Sequence, residues 1–198
     1  PVSIQDVYRD IRDIAEHLGV PERAEGVVEE MRAELGDGVV ETGDEEGALP
    51  DGVDAAPRPS ILVQWWPKPV ITPGRLSWAT QVIEAAGGRA LLGHEEVKSR
   101  PMDDDEVAER APDAVVLSWC GVHPDSYRPD VVLGNEAWQE LPFVKEGRVY
   151  CVGEPYLGRP GPRLVEGARA MRRIVDELRD AGVGLAPAPS PEATNAGS

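Results

Sequence analysis

The stretch "DAVVLSWC" (residues 113–120) is nearly continuous in apolar residues, which is typical of a strand buried on both faces of a parallel sheet. A similar stretch, "ILVQWW" (residues 61–66), precedes it, and "GRVYCVG" (residues 147–153) follows it. Helical patterns separate or follow these strands at "PGRLSWATQVIEAAGG" (73–88), "MDDDEVAERA" (102–111), "NEAWQEL" (135–141) and "GPRLVEGARAMRRIVDELRDAG" (161–182). This alternation predicts an α/β fold with a small parallel sheet flanked by helices.

Composition divides the chain into four segments. Residues 1–35 carry two helical patterns, with Ser3 as a predicted cap, Gly19 at the end of the first pattern and Pro21 at the start of the second. Residues 36–59 are rich in glycine, proline and acid and are predicted to form an acidic loop or insertion. Residues 60–182 form the predicted α/β unit, and residues 183–198 are expected to be a disordered tail.

The charge balance narrows the classes of partner. The chain has 36 acidic and 20 basic residues and a net charge of −16, so nucleic acids and anionic membranes are disfavoured as partners. The scarcity of lysine beside so much acid predicts a salt-adapted, halophilic source. Two cysteines are too few for a disulfide scaffold, and no apolar run is long enough to span a bilayer.

Three loops leave the carboxyl ends of the predicted strands, where open α/β sheets bind their ligands. They are "WWPKPVITPGR" (65–75), "SWCGVHPDSYRPD" (118–130) and "VGEPYLGRPGPR" (152–163). Their aromatic residues are predicted to gather on one rim as a rigid apolar platform for a large flat ligand; these are Trp65, Trp66, Trp119, Tyr127 and Tyr156. The competing interpretation is that these aromatics are ordinary core residues and that the prolines merely end the strands.

The two adjacent tryptophans of the first loop pose a problem, because neighbouring side chains of a strand point to opposite faces. We therefore expect Trp65 to pack under the helices and Trp66 to face the cleft.

The sequence does not predict a catalyst. Cys120 and His123 could supply two soft metal ligands or a thiolate–imidazole pair, but two ligands do not complete a zinc site. We therefore expect Cys120 to be a structural cysteine and Cys151 to lie in the core. No phosphate-binding glycine loop and no serine nucleophile elbow are present in the sequence, so the chain is predicted not to be an enzyme.

Several motifs resemble a known family. They are "WWPKPVITPG" (65–74), "SWCG" (118–121), "YLGRPGPRLVEG" (156–167) and the pattern W-x-x-L-P-x-V-x-x-G-R-V-Y (138–150). The sequence resembles the cobalamin-binding members of the helical-backbone family of substrate-binding proteins for vitamin B12, siderophores and haem, which partner ABC importers. The similarity extends over residues 1–182, and residues 3–35 resemble the segment that enters the family's interdomain helix.

The resemblance implies an architecture and partners. Members of this family hold a ligand between two α/β lobes joined by one long helix. On this basis we expect a long linking helix followed by a Rossmann-like C-terminal lobe, without the N-terminal lobe. The expected partners are cobalamin or a related corrinoid, ABC permease subunits and the missing lobe, with cobalamin as a transported ligand and no cofactor. The expected location is extracytoplasmic, with a membrane anchor on the missing N-terminus; a cytoplasmic location stays open.

The resemblance also assigns ligand-binding residues to the three loops, with no metal ligand among them. They are Trp65, Trp66, Lys68 and Pro69 in the first loop, Trp119, Cys120 and Gly121 in the second, and Tyr156 and Arg159 in the third. Three alternatives remain at this point. They are a haem or ferric-siderophore receptor of the same fold, a corrinoid-metabolism enzyme or Cys120-dependent metalloprotein, and an interaction protein that holds no ligand.

Overall fold

The computed structural model describes residues 1–37 and 58–184 of the chain. The acidic loop predicted at 36–59 and the disordered tail predicted at 183–198 fall almost entirely outside those residues. The described helices are α1 (Ile4–His17), α2 (Pro21–Leu35), α3 (Trp78–Ala85), α4 (Asp104–Arg110), α5 (Pro129–Leu133), α6 (Pro142–Lys145), α7 (Glu154–Leu157) and α8 (Leu164–Asp180), with one-turn 3-10 helices at Pro124–Ser126 and Glu136–Trp138. The strands are β1 (Ser60–Gln64), β2 (Trp66–Pro67), β3 (Val70–Pro73), β4 (Arg89–Ala90), β5 (Ser99–Met102), β6 (Ala114–Leu117) and β7 (Val149–Cys151).

The main sheet has four parallel strands in the order β4-β1-β6-β7. Strands β1 and β6 lie at its centre, paired from Ile61 opposite Ala114 to Gln64 opposite Leu117. Every residue of both strands is buried, as the continuous apolar pattern requires. Helices cover the sheet, and the predicted α/β fold with a parallel sheet flanked by helices is confirmed.

The two faces of the sheet contribute to separate hydrophobic cores. Ile61 and Val63 of β1 belong to a core that includes residues of α1, α2, α3 and α8. Leu62, between them, belongs to a second core that includes residues of α4, α5 and α6. Side chains alternate along a strand, so Gln64, two residues after Leu62, lies on the same side as Leu62 and faces the second core.

Two helices form the N-terminal segment, where the family resemblance leads us to expect one long linking helix. The Ser3 hydroxyl accepts a hydrogen bond from the Asp6 N–H at 3.1 Å and caps α1. Gly19, with φ of 72°, ends α1, and Pro21 begins α2. Helix α2 is held on α8 by Glu34, whose carboxylate pairs with Arg169 and Arg172 of that helix.

A second, antiparallel sheet of three short strands, in the order β2-β3-β5, was not predicted from the sequence. The segment at 65–75, interpreted as a loop because of its prolines, contains the β2–β3 hairpin. Pro67 and Pro101 lie on the two outer strands, where a missing backbone N–H is tolerated. In the final helix, Pro162 lies two residues before α8 instead of within its first turn. None of the described helices is long and apolar enough to cross a membrane.

The short helix α7 packs against α8 at a glycine. A Cβ atom built on Gly167 would lie 2.0 Å from the carbonyl oxygen of Tyr156, far inside van der Waals contact. The backbone of α7 can approach α8 this closely because Gly167 has no side chain. Since α7 carries Tyr156, this contact also determines where the tyrosine lies.

We expect Gly167→Ala to destabilise the chain by about 1–3 kcal/mol, because the added methyl group forces the two helices apart. The midpoint of urea unfolding measures the loss. Gly161→Ala is the matched control, since a Cβ at Gly161 would have no neighbour within 4 Å. Equal midpoints for the two variants would show that α7 moves away from α8 without cost.

Candidate functional site

The carboxyl ends of the parallel strands meet at one edge of the main sheet. Gln64, Leu117 and Cys151 are the last residues of β1, β6 and β7. Backbone contacts continue beyond the strands, since the Ser118 N–H donates to the Gln64 carbonyl at 3.0 Å and the Cys120 N–H donates to the Trp65 carbonyl at 3.1 Å. The three loops predicted to carry the site therefore begin at the same edge.

A cavity of about 780 Å³ opens beside this edge. It lies between the β2–β3 hairpin, the junction of β5 with α4, and the segment from α5 to the second 3-10 helix. Its lining residues are Gln64, Pro67, Lys68, Pro69, Val70, Met102, Asp103, Asp104, Val131, Val132, Asn135, Glu136, Ala137 and Trp138. This volume is within the range of pockets that bury a small organic ligand.

The floor of the cavity is apolar. Val70, Met102, Val132 and Trp138 are all buried and belong to the second hydrophobic core. The Trp138 indole is fixed in place, because its Nε1–H donates to the Asp104 carbonyl at 3.1 Å. The floor is therefore a rigid surface for an apolar group.

The rim of the cavity is charged and mostly acidic. Asp103, Asp104 and Glu136 are exposed there, against a single cation, Lys68. The Asp103 carboxylate accepts the Glu106 N–H at 2.8 Å and caps α4, and the Asp104 carboxylate accepts the Asn135 side-chain amide at 3.1 Å. None of the four charged groups forms an ion pair within the described part of the chain, so all four are available to a ligand.

The two adjacent tryptophans differ in exposure and lie at the junction of two strands, since β1 ends at Gln64 and β2 begins at Trp66. Trp65 is partly buried against the first core, with its ring centroid 6.1 Å from that of Trp78. Trp66 is 43% exposed on the hairpin that carries Lys68 and Pro69. The predicted role of Trp66 in ligand binding stays a prediction, and Trp65 is in the position of a packing residue.

Trp119 and Tyr127, which the sequence placed on the aromatic rim, are buried. Trp119 is only 6% exposed, and its ring packs on that of Tyr127 at a centroid distance of 5.6 Å. The expectation that these two rings face the cleft is wrong, because both side chains belong to the second core. The Trp119 Nε1–H instead donates to the side-chain oxygen of Gln64 at 2.9 Å.

The remaining predicted residues are linked by a residue that the sequence analysis missed, Glu154. Its carboxylate accepts the Gly121 N–H at 2.9 Å and pairs with Arg159 at 3.2 Å. Cys120 precedes this glycine, and Tyr156, 39% exposed, follows Glu154 on α7. The second and third loops are thus joined at the sheet edge, with a phenol ring exposed beside them.

Both cysteines are exposed, so the expectation that Cys151 lies in the core is wrong, and a structural role for Cys120 has no support from burial. Cys151 ends a three-residue edge strand, and Cys120 lies in the loop beyond β6, so neither position is enclosed. Partial burial raises the pKa of the Cys120 thiol and the nearby Glu154 carboxylate raises it further, which opposes formation of a reactive thiolate. Within residues 1–37 and 58–184, no group of three or more His, Cys, Asp or Glu side chains is placed to hold a metal ion.

Most residues of the cavity were not predicted as site residues; of the predicted set, only Lys68 and Pro69 line it. The acids of "MDDDEVAERA" were interpreted only as favourable charges in the first turn of a helix. One sequence signal was available: Gln64 is a polar residue in an otherwise apolar strand, and buried polar side chains are informative.

An ion-pair network supports the wall of the cavity formed by β5 and α4. Arg100 of β5 donates to Glu95 at 2.6 and 2.7 Å and also binds Glu106 of α4. Arg110 joins the same two carboxylates at 2.7 and 3.0 Å. Hydrogen bonds from Arg100 lower the pKa values of both glutamates.

Comparison of the sequence with models of known protein families shows the family of this chain. The model of the family described as "Periplasmic binding protein" matches residues 1–156, which include both N-terminal helices and most of the α/β unit. This chain belongs to the periplasmic binding protein family.

Two relatives of this periplasmic binding protein have moderate sequence similarity. An uncharacterized ABC transporter substrate-binding lipoprotein, YvrC of Bacillus subtilis, is 25% identical over 174 residues, 87% of this chain and 51% of the relative. The vitamin B12-binding protein of Pectobacterium carotovorum is 23% identical over 167 residues, 84% of this chain and 54% of the relative. The chain therefore spans about half the length of the curated relatives that it matches.

Solved structures of other binding proteins share the fold. An ABC-type Fe3+-hydroxamate transport system from Saccharomonospora viridis superposes with a TM-score of 0.67 at 20% identity, over 87% of this chain and 56% of that one. The periplasmic heme-binding protein RhuT from Roseiflexus sp. superposes with a TM-score of 0.65 at 22% identity, over 91% and 65%. These structures show the architecture of the chain but not its ligand.

The network around Arg100 predicts how stability depends on pH. The folded pKa values of Glu95 and Glu106 lie below the ordinary glutamate value of 4.5, so the folded state binds fewer protons than the unfolded state in that window. The contribution of the network to stability is complete above about pH 4.5 and is lost as the pH falls toward the lower folded values. Urea unfolding between about pH 6 and pH 3 measures this loss.

Arg100→Met should flatten this part of the pH profile, because the two carboxylates then titrate closer to their ordinary values. Arg128→Met is the control, since it breaks an exposed pair with Asp130 whose contribution is screened by water. A wild-type profile that Arg100→Met leaves unchanged would show that the network does not support this wall.

Proposed function

We propose that this chain is the ligand-binding lobe of a substrate-binding protein that delivers cobalamin or a related corrinoid to an ABC importer. The observation that carries the proposal is the cavity of about 780 Å³, with its apolar floor, at the carboxyl edge of the parallel sheet. Trp66 on the hairpin and Tyr156 on α7 add exposed aromatic surface at the same edge. A large, flat ligand is bound by such surfaces mainly through apolar contact.

The relatives support this proposal. One is a vitamin B12-binding protein and another is an ABC transporter substrate-binding lipoprotein. Since the chain spans about half their length, we propose that a second lobe, supplied outside residues 1–198, closes over the ligand. The proposed partner in the membrane is the importer's permease, the proposed location is extracytoplasmic, and the proposed role is capture without catalysis.

A second candidate ligand is an iron compound, haem or a ferric siderophore. The specific observation in its favour is the exposed phenol of Tyr156, because phenolate oxygen can ligate ferric iron. A heme-binding protein and an Fe3+-hydroxamate transport system are also among the similar structures. The two candidate ligands differ in the contact they make at the sheet edge. An iron compound would be bound there through its metal, and a corrinoid only through its organic ring.

Titration of tryptophan fluorescence distinguishes these ligands. The chain, and the full product of its gene, are titrated with cyanocobalamin, haemin and a ferric hydroxamate siderophore. We expect quenching by cyanocobalamin to saturate at the lowest concentration. If haemin binds more tightly than cyanocobalamin, and Tyr156→Phe abolishes this binding, the iron compound and not the corrinoid is the ligand.

Trp66→Ala tests whether the exposed tryptophan of the β2–β3 hairpin binds the ligand. We expect it to weaken cyanocobalamin binding by about 2 kcal/mol, ~30-fold, as for an aromatic anchor in an interface. Because Trp66 is largely outside the two cores, the urea midpoint should change little. Leu18→Ala is the control, since Leu18 is 71% exposed on the turn after α1 and does not line the cavity. Unchanged affinity in Trp66→Ala would remove this residue from the site.

A further inference from the structure

We infer that the cavity binds an uncharged carboxamide carried on an apolar body and discriminates against the corresponding carboxylate. This inference rests on the proposed function, because it concerns the ligand of the same site. It is carried by three features of the cavity, which are an oriented amide at the base, an acidic rim and an apolar floor.

The amide at the base belongs to Gln64. Its side chain is only 1% exposed, and its oxygen accepts the Trp119 Nε1–H at 2.9 Å. An indole N–H is a donor only, so the oxygen of Gln64 must face Trp119 and the nitrogen must face away. The orientation of this amide is therefore determined by the core behind it.

The side-chain nitrogen of Gln64 is the part of this amide that remains for a ligand. In the described part of the chain, two fully enclosed side-chain polar atoms lack a partner, Trp65 Nε1 and Ser118 Oγ. The Gln64 nitrogen is not one of them, so it is not fully enclosed. No described residue accepts a hydrogen bond from this nitrogen, and Gln64 lines the cavity. A donor N–H at the base of an apolar cavity is complementary to a carbonyl oxygen of the ligand.

The charges on the rim favour a neutral ligand over an anionic one. Asp103, Asp104 and Glu136 face the opening with Lys68 as the only cation among the lining residues. Because their carboxylates are not paired with arginine or lysine in the described chain, they repel an anionic group and accept hydrogen bonds from a neutral N–H.

A carboxamide satisfies both ends of this arrangement. Its carbonyl oxygen accepts from Gln64 at the base, and its NH₂ group donates to the acidic rim. A carboxylate has no donor for the rim and carries the same charge. The apolar floor of Val70, Met102 and Trp138 then takes the hydrocarbon body to which the amide is attached. Trp119 acts as a positioning residue, since it orients Gln64 without lining the cavity.

A matched pair of fragments tests this inference. Benzamide and benzoate have the same ring and differ in the group under test, and both are titrated into the ¹⁵N-labelled chain. We expect benzamide to shift the side-chain NH₂ resonances of Gln64 and the indole resonance of Trp138, with benzoate at least ~10-fold weaker at low ionic strength. Benzoate that binds as tightly as benzamide, or no shift of Gln64 with either, would overturn the inference.

Neutralising the rim tests the source of the discrimination. The triple variant Asp103→Asn, Asp104→Asn, Glu136→Gln keeps an oxygen for the cap of α4 and for Asn135 while removing three charges. We expect its preference for benzamide to fall below ~3-fold. The matched control Asp105→Asn, Glu109→Gln, Glu146→Gln removes three exposed charges from outside the cavity and should keep the preference. If both triple variants keep the preference for benzamide, the acidic rim is not the cause of that preference.

Trp119→Phe tests the positioning role. Without the indole N–H, the amide of Gln64 is free to turn, so benzamide should bind ~5-fold more weakly. Toluene, which has no polar group, should bind equally to the variant and the wild type if the cavity is intact. An equal loss for both fragments would show that Trp119 only supports packing.

The two proposals can fail separately. A chain that prefers benzamide over benzoate but ignores cyanocobalamin, alone and in the full gene product, would retain the carboxamide site and lose the corrinoid. A chain that binds cyanocobalamin while benzoate matches benzamide would retain the corrinoid and lose the amide selectivity.

Discussion

The structure depends on the burial of β1 and β6 on both faces. Two adjacent parallel strands that are covered on each side must direct their alternating side chains into two cores, and their carboxyl ends must meet at one edge. The hairpin, the loop after β6 and the α7 segment all start from that edge. The candidate site follows from this constraint, because segments far apart in the sequence are brought to one place by the pairing of two short strands.

The same constraint explains how the core and the cavity are connected. Gln64 is the last residue of β1 and its side chain lies on the side of the second core, where Trp119 supplies the hydrogen bond that orients it. Trp119 in turn packs on Tyr127, whose hydroxyl accepts the Glu154 N–H at 3.1 Å. A continuous set of contacts therefore runs from the cavity, through the core, to the α7 segment that carries Tyr156.

The fold comparisons alone leave several ligands open. The chain offers its own evidence in the contrast between an apolar floor and an acidic rim. Three carboxylates beside one ammonium are unfavourable for a ligand with anionic edges and favourable for one with neutral amides. The abundance of acid over the whole chain would give the proposed selectivity a long-range component that salt would weaken.

The sequence by itself determined the α/β class and the three main strands, because apolar continuity is a local property of the chain. It misassigned the "WWPKPVITPGR" segment as a loop, because proline signals a break unless the pairing partners are known, and one of them is β5, about thirty residues later. It also placed Trp119 on the ligand-facing rim and Cys151 in the core, and both placements are wrong. Only the tertiary structure decided these points and the lining of the cavity, since burial depends on which distant helices cover each side chain.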